Sequence, residues 1–212
     1  MNHEFWHDKW QKQEIGFHEA KANPLLLANI KALHLAPGSR IFLPLCGKTL
    51  DIAWLLAQSY EVVGVELNEL AVNALFEEMH ITPTISECGA LTHYSADGLD
   101  VFLGDIFALQ ADTLGPVAAI YDRAALIALP EAMRRDYSQH IRDLTGTAKQ
   151  LLITVEYDQS LLAGPPFNVS AAEVAEHYQP FYTLDTLAVQ NIKGGLKGKC
   201  AANEHVWLLT PL

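Results

Sequence analysis

The chain has 212 residues, and half of them are hydrophobic, which is enough for the core of one domain. Its 25 acidic residues outnumber the 14 basic ones and give a formal net charge of −11, which disfavours a nucleic-acid surface and attraction to anionic lipid. The three cysteines are far apart in the sequence, and no apolar segment has the length of a membrane span. We therefore expect one domain over residues 1–212, in a cytoplasmic monomer that binds neither nucleic acid nor membrane.

The first half of the chain predicts two strands, each followed by a helix. An earlier helix, PLLLANIKAL, opens at Asn23-Pro24, where asparagine is a favoured N-cap and proline suits the first helical position. A strand over residues 41–45 and a helix over residues 49–58 follow, and then the strand EVVGVEL and the helix NELAVNALFEEM. Apolar runs of this kind are typical of parallel strands that are covered on both faces.

The second half continues the alternation. The strand LDVFLGDIF ends near Asp105, and the strand PVAAIYDRAAL ends near Asp122; the helix LPEAMRRDYSQHIRDL and the strand KQLLITVEY follow. The last two strands, FYTLDTLAV and EHVWLLT, have no long helix between them, which predicts an antiparallel hairpin at one edge. The whole pattern predicts an α/β fold, with a mostly parallel sheet and helices on both faces.

The turn after the first strand, FLPLCGKT, ends like a phosphate-binding P-loop. Phe42 stands where that loop requires its first glycine, and Pro44 lacks an N–H that a phosphate nest would use. The segment therefore disfavours a triphosphate site. A glycine turn at the carboxyl end of a strand is nevertheless the place where α/β sheets bind ligands, and Leu45 would offer its backbone groups there.

Acidic residues end the strands that follow this turn. Glu66 lies 19 residues after Gly47, the spacing at which a carboxylate accepts hydrogen bonds from ribose hydroxyls, although a solvated strand-end acid fits the same pattern. Asp105 and Ile106 stand where an adenine ring would lie, and an ordinary aspartate at a helix entry is the alternative. Asp122 and Arg123 follow an apolar run, where ionised side chains are costly unless they pair or meet a ligand. We therefore expect Arg123 to make either a ligand contact or a structural salt bridge.

The N-terminus holds a second misleading motif. HEFWH, residues 3–7, fits the zinc-protease pattern H-E-x-x-H, but it lies at the chain end and lacks a third ligand, so we expect no metal. Trp6, Trp10 and Phe17 are three large aromatic residues close together. They predict either a cap on the core or an aromatic lid over a cofactor that carries positive charge.

Six segments form a specific combination: FWHDKWQKQEIGFHE, FLPLCGKTLDIAWL, VVGVELNELAV, GDIF, YDRAAL and GPPFNVSAAEV. Together they resemble the thiopurine S-methyltransferase family of the bacterial type, over almost the whole chain. The resemblance implies a Rossmann-like S-adenosylmethionine-dependent methyltransferase fold, with residues 1–22 as an N-terminal aromatic lid. It also implies that the cofactor S-adenosyl-L-methionine binds at Trp10, Leu45, Glu66, Arg123, Asp105 and Ile106, and that the acceptor lies beside Phe17. Animal members of the family carry an arginine near the C-terminus that is thought to face the substrate, and Lys193 is the basic residue nearest to that position here.

The reaction that the resemblance implies is methyl transfer to the sulfur of thiopurines and other aromatic or heterocyclic thiols, with selenium and tellurium species as further acceptors. A thiolate requires no strong base, so we nominate none; Arg123 is the candidate for charge stabilisation and His18 for a proton relay. Two alternatives remain open. One is an NAD-dependent oxidoreductase, which the missing G-x-G-x-x-G disfavours, and the other is a non-catalytic nucleotide-binding module.

Overall fold

The computed structural model describes residues 3–16 and 18–212, and its strands form one nine-stranded sheet in the order β3-β4-β5-β2-β1-β6-β7-β9-β8. The strands are β1 (Arg40–Pro44), β2 (Glu61–Glu66), β3 (Thr84–Cys88), β4 (Leu91–Ala96), β5 (Leu99–Leu103), β6 (Ala119–Arg123), β7 (Lys149–Tyr157), β8 (Tyr182–Asn191) and β9 (Ala202–Pro211). The helices are α1 (His3–Gln11), α2 (Pro24–Asn29), α3 (Asp51–Ala57), α4 (Glu69–Glu78), α5 (Ala111–Leu114), α6 (Glu131–Thr145) and α7 (Ala171–Tyr178).

The five central strands are parallel, and each edge of the sheet is an antiparallel hairpin. β5, β2, β1, β6 and β7 pair in parallel, which confirms the Rossmann-like α/β arrangement expected from the sequence. The predicted hairpin of the last two strands is confirmed as β8 and β9. The hairpin of β3 and β4 at the other edge was not predicted, because four of the five residues in β3 are exposed and the segment carries no apolar alternation.

Two apolar clusters cover the two faces of the sheet, because successive side chains of a strand point to opposite sides. In β1, Phe42 belongs to the cluster that packs under α6 and α7, whereas Ile41 and Leu43 belong to the cluster under α2, α3 and α4. The predicted helices on both faces are therefore confirmed. In the part of the chain that the structure describes, no helix is both long and apolar enough to span a membrane.

The N-caps fix where two helices begin beside the carboxyl edge of the sheet. Asn23 accepts hydrogen bonds from the backbone of Leu25 and Leu26, at 2.9 and 3.3 Å, and so opens α2 as the sequence predicted. Asn68 caps α4 by accepting from the N–H of Leu70 at 2.9 Å. Asn68 lies two residues after the end of β2, so this cap also fixes the turn that follows Glu66.

Candidate active site

A cavity of about 820 Å³ opens at the carboxyl ends of β1, β2 and β6. It is the position at which ligands bind in open α/β sheets, and its volume is in the range of small-molecule sites. Four of the six residues that the resemblance assigned to the cofactor line it together, namely Trp10, Leu45, Glu66 and Arg123. Residues that are distant in the sequence therefore meet around one space.

The turn after β1 lies directly against this cavity. Leu45 has φ 47° and Gly47 has φ 55°, so the chain turns sharply through left-handed conformations as it leaves the strand. Cys46 anchors the turn, because its N–H donates to the carbonyl of Val65 on β2 at 3.0 Å. A side chain at Gly64 would place its Cβ 2.7 Å from the Cys46 sulfur, so only glycine fits beneath the turn.

Glu66 is a buried carboxylate held by backbone N–H groups on both oxygens. Gly47 donates to Oε2 at 2.8 Å and Asn68 donates to Oε1 at 2.8 Å, and the residue is 7% exposed. Burial raises the pKa of Glu66 above its ordinary value, and the N–H groups of Asn68 and Gly47 act in the opposite direction. The carboxylate is thus tied to the β1 turn and oriented at the edge of the cavity.

Arg123 lines the cavity from the end of β6 and is partly neutralised there. Its guanidinium lies 2.9 Å from Glu19, in the segment that precedes α2, and its side chain is 15% exposed. Glu204 on β9 lines the same space; burial raises its pKa, and the charge of Arg123 acts against this rise. The salt bridge that the sequence left open is therefore present, and it lies inside the cavity.

Beneath the cavity, Asp51 connects three elements. Its carboxylate accepts from the backbone of Asn23 at 2.6 Å and from the hydroxyl of Tyr121 at 3.0 Å, and it is 1% exposed. These bonds join the start of α3 to β6 and to the entry of α2. Both oxygens have protein partners, which indicates that Asp51 supports the site structurally.

The N-terminal segment covers one side of the cavity. Four residues of α1 line it, namely Phe5, Trp6, Lys9 and Trp10, and Trp10 is buried at 7% exposure. His18 lines it as well; burial, followed by the charge of Lys48, lowers its pKa below the ordinary value. Phe17, which the resemblance placed beside the acceptor, lies outside the described residues.

Asp105 and Ile106 are not among the residues that line this cavity. Asp105 caps a short 3₁₀ helix by accepting from the N–H of Phe107 at 3.0 Å, and Ile106 is completely buried in the core. The bond from Gly104 N–H to the Glu66 carbonyl, at 2.8 Å, holds this turn beside the end of β2. Their role at an adenine ring stays a prediction.

The other charged residues considered from the sequence lie in different places relative to the cavity. Asp122 points away from Arg123 into the core, where it accepts from the hydroxyl of Tyr137 at 2.7 Å, and burial raises its pKa to about 6. Lys193 does not belong to the described lining of the cavity. Lys197 does, and its ammonium donates to the Pro165 carbonyl at 2.8 Å.

The H-E-x-x-H segment is helical, and its two histidines have different partners. His3 lies 3.2 Å from the carboxylate of Asp105, and His7 lies 2.9 Å from the side-chain amide of Asn68. The two imidazoles therefore contact separate strand ends. Among the described residues no group of three or more His, Cys, Asp or Glu side chains has the geometry of a metal site.

Sequence reasoning missed several charged residues of the cavity, among them Glu19, Lys197 and Glu204. Glu204 had a usable signal, since it is an acid in the mostly apolar strand EHVWLLT, and such a residue points either to solvent or to a site. Glu19 and Lys197 lie in irregular segments without periodicity, so no pattern identified them.

Comparison with known proteins shows which family this chain resembles. A family model described as thiopurine S-methyltransferase (TPMT) matches residues 1–210. The chain is 53% identical over 210 residues to a thiopurine S-methyltransferase of Xanthobacter autotrophicus, with 99% of each chain covered. It is 50% identical over 210 residues to the enzyme of that name from Teredinibacter turnerae, with 99% of this chain and 98% of the other covered.

Solved structures share the fold at low identity. A SAM-dependent methyltransferase from Anabaena variabilis has a TM-score of 0.65 at 14% identity, covering 99% of this chain and 95% of the other. A Burkholderia thailandensis 1,6-didemethyltoxoflavin-N1-methyltransferase with bound S-adenosylhomocysteine has a TM-score of 0.66 at 16% identity, covering 98% of this chain and 87% of that one. The sheet is thus one on which methyltransferases are built.

Proposed function

The chain belongs to the thiopurine S-methyltransferase family and is an S-adenosylmethionine-dependent methyltransferase, and we propose that it methylates the sulfur of aromatic and heterocyclic thiols, including thiopurines. The observation that carries this proposal is the juxtaposition of Glu66, the β1 turn and Arg123 around one cavity. The family match gives no support to the NAD-dependent or the non-catalytic alternative.

The residues of the cavity fit S-adenosylmethionine. Glu66 is fixed by backbone N–H groups, and its carboxylate has acceptor capacity left for a ribose hydroxyl. Leu45 contributes backbone groups beside it, and Trp10 offers an aromatic face to a cation. Asp105 and Ile106 would border the adenine. When bound, the cofactor supplies an activated methyl group.

The residues of the chain then have two tasks, alignment and exclusion of water. Alignment of two reactants can lower a barrier by about 7–11 kcal/mol, and the aromatic residues of α1 lie where they would exclude solvent. We also propose that residues 1–22 act as a lid on a single domain. Arg123 would stabilise charge on the acceptor, and His18, with its lowered pKa, would be neutral and able to accept a proton.

The acceptor must be a good nucleophile by itself, because we assign no strong base to the described cavity. A thiolate meets this condition at ambient pH, and selenolate or telluride species would meet it in the same way. Lys197, in place of Lys193, is the basic residue that we place near the acceptor end. We expect the enzyme to act as a cytoplasmic monomer with free thiols, as Cys46, Cys88 and Cys200 are in the structure.

A matched panel of aromatic thiols, phenols and anilines, assayed with labelled S-adenosylmethionine, tests the proposal. We expect transfer to thiols alone, with a rate that rises with pH through the pKa of each thiol and therefore shifts when the thiol is changed. Phenol turnover equal to thiol turnover, or one pH midpoint for every thiol, would show that the protein supplies a base and would contradict the proposal.

A further inference from the structure

The two histidines of the H-E-x-x-H segment have no assigned role in the cofactor site, yet both contact residues that follow strand ends beside that site. His3 and His7 are four residues apart, so they lie on one side of α1. The neighbouring side of the helix carries Phe5, Trp6, Lys9 and Trp10, which line the cavity. One side of α1 therefore faces the cavity while the adjacent side rests on the protein.

The two contacts reach the ends of two paired strands. Glu66, the last residue of β2, is in register with Leu103, the last residue of β5. His7 contacts Asn68, two residues after the first of these strand ends, and His3 contacts Asp105, two residues after the second. The histidine pair thus bridges the positions where ribose and adenine would be held.

Asn68 connects the helix directly to Glu66. Its backbone N–H donates to the Glu66 carboxylate at 2.8 Å, while its side-chain oxygen accepts from the N–H of Leu70 at 2.9 Å. The second bond fixes the orientation of the amide, because the oxygen must face α4. The amide nitrogen then donates to His7 Nδ1, at 2.9 Å, which requires an unprotonated nitrogen at that position.

We propose that His3 and His7 are positioning residues, which dock α1 across the ends of β2 and β5 and hold the aromatic lid over the cofactor. The proposal rests on the proposed function, since it takes this cavity as the cofactor site. The contact of His7 contributes more to the docking of α1 than that of His3, because its partner Asn68 is 2% exposed, whereas the side chains of His3 and Asp105 are 43% and 35% exposed.

The rate of S-adenosylhomocysteine release from the full-length protein, measured by stopped-flow tryptophan fluorescence, tests this role. Loss of one hydrogen bond should make release from His7→Ala about threefold faster. Asn68→Ser keeps a capping oxygen but removes the donor, and should have the same effect. The double variant should release the ligand no faster than either single variant, because both changes remove the same bond.

Two further variants separate positioning from general stability. His7→Gln retains an acceptor and should restore release to within about twofold of the unaltered protein. Asp8→Ala, on the exposed side of α1 where Asp8 pairs with Lys12 at 2.9 Å, should leave release unchanged. Additive effects in the double variant, or equal release from all variants, would overturn the proposal. Absence of S-adenosylhomocysteine binding to the unaltered protein would overturn the proposed function together with it.

Discussion

Two buried carboxylates near the carboxyl edge of the sheet have opposite surroundings. Glu66 ends β2 and borders the cavity, whereas Asp122, near the end of β6, points into the core under α6. Burial raises the pKa of both acids, so the pKa alone does not indicate which of them belongs to a candidate site. What distinguishes Glu66 is the open space beside it and the nature of its two donors.

The hydrogen-bond donors of the two carboxylates differ in whether they can also act as acceptors. Both oxygens of Glu66 accept from backbone N–H groups, which cannot reverse, so a carboxylate is required there. Asp122 accepts from the N–H of Leu126 at 3.1 Å and from the Tyr137 hydroxyl at 2.7 Å, and a hydroxyl can rotate to accept instead. An amide should therefore be tolerated at Asp122 and harmful at Glu66.

Removal of residues 1–17 should have the largest effect, and it should affect the cavity side alone. The truncated protein loses the aromatic cover that excludes water and should lose at least about 100-fold in kcat/KM. The sheet should stay folded, with unchanged far-UV circular dichroism. Full activity would contradict the lid, and failure to fold would show that these residues complete the core.

Asp122→Asn should change the pH dependence of stability. The pKa of Asp122 rises from 3.8 to about 6 on folding, so the folded state binds more protons between these pH values and stability falls as pH increases through them. At pH 7 this acid destabilises the fold by about 3 kcal/mol. In the variant the free energy of unfolding should no longer fall between these pH values, which denaturant unfolding at pH 4 to 7 will measure. An unchanged pH profile of stability would show that a group other than Asp122 titrates in this range.

The parts of the fold that sequence reasoning found are those with apolar periodicity. β1, β2, β6 and β7 have uninterrupted buried runs, and these determined the sheet. β3 was missed because its hydrogen bonds to β4 stabilise it without an apolar face of its own; Ile85, for example, is 57% exposed. A strand that is held by pairing with its neighbour, and whose side chains are exposed on both faces of the sheet, has no apolar pattern by which the sequence could indicate it.

The cavity lining was predictable where a side chain ends a strand. Glu66 and Arg123 were found because the carboxyl ends of parallel strands meet at one edge. Glu19 was missed because its ion pair with Arg123 joins residues 104 positions apart, and neither irregular backbone nor charge alone indicates such a pair. Lys193 was named from the sequence, whereas Lys197 lines the cavity, because the conformation of the loop between β8 and β9 determines which lysine reaches it.

Calorimetric titration with S-adenosylhomocysteine of the unaltered protein, Glu66→Gln and Asp122→Asn tests most directly whether the cofactor binds at Glu66. Glu66→Gln removes a charge-assisted bond and turns an amide donor towards a backbone N–H, so affinity should fall by about 1.5–3 kcal/mol. Asp122→Asn, buried to a similar degree but away from the cavity, should bind as the unaltered protein does. Equal affinity of all three proteins would contradict the assignment of Glu66 to the cofactor.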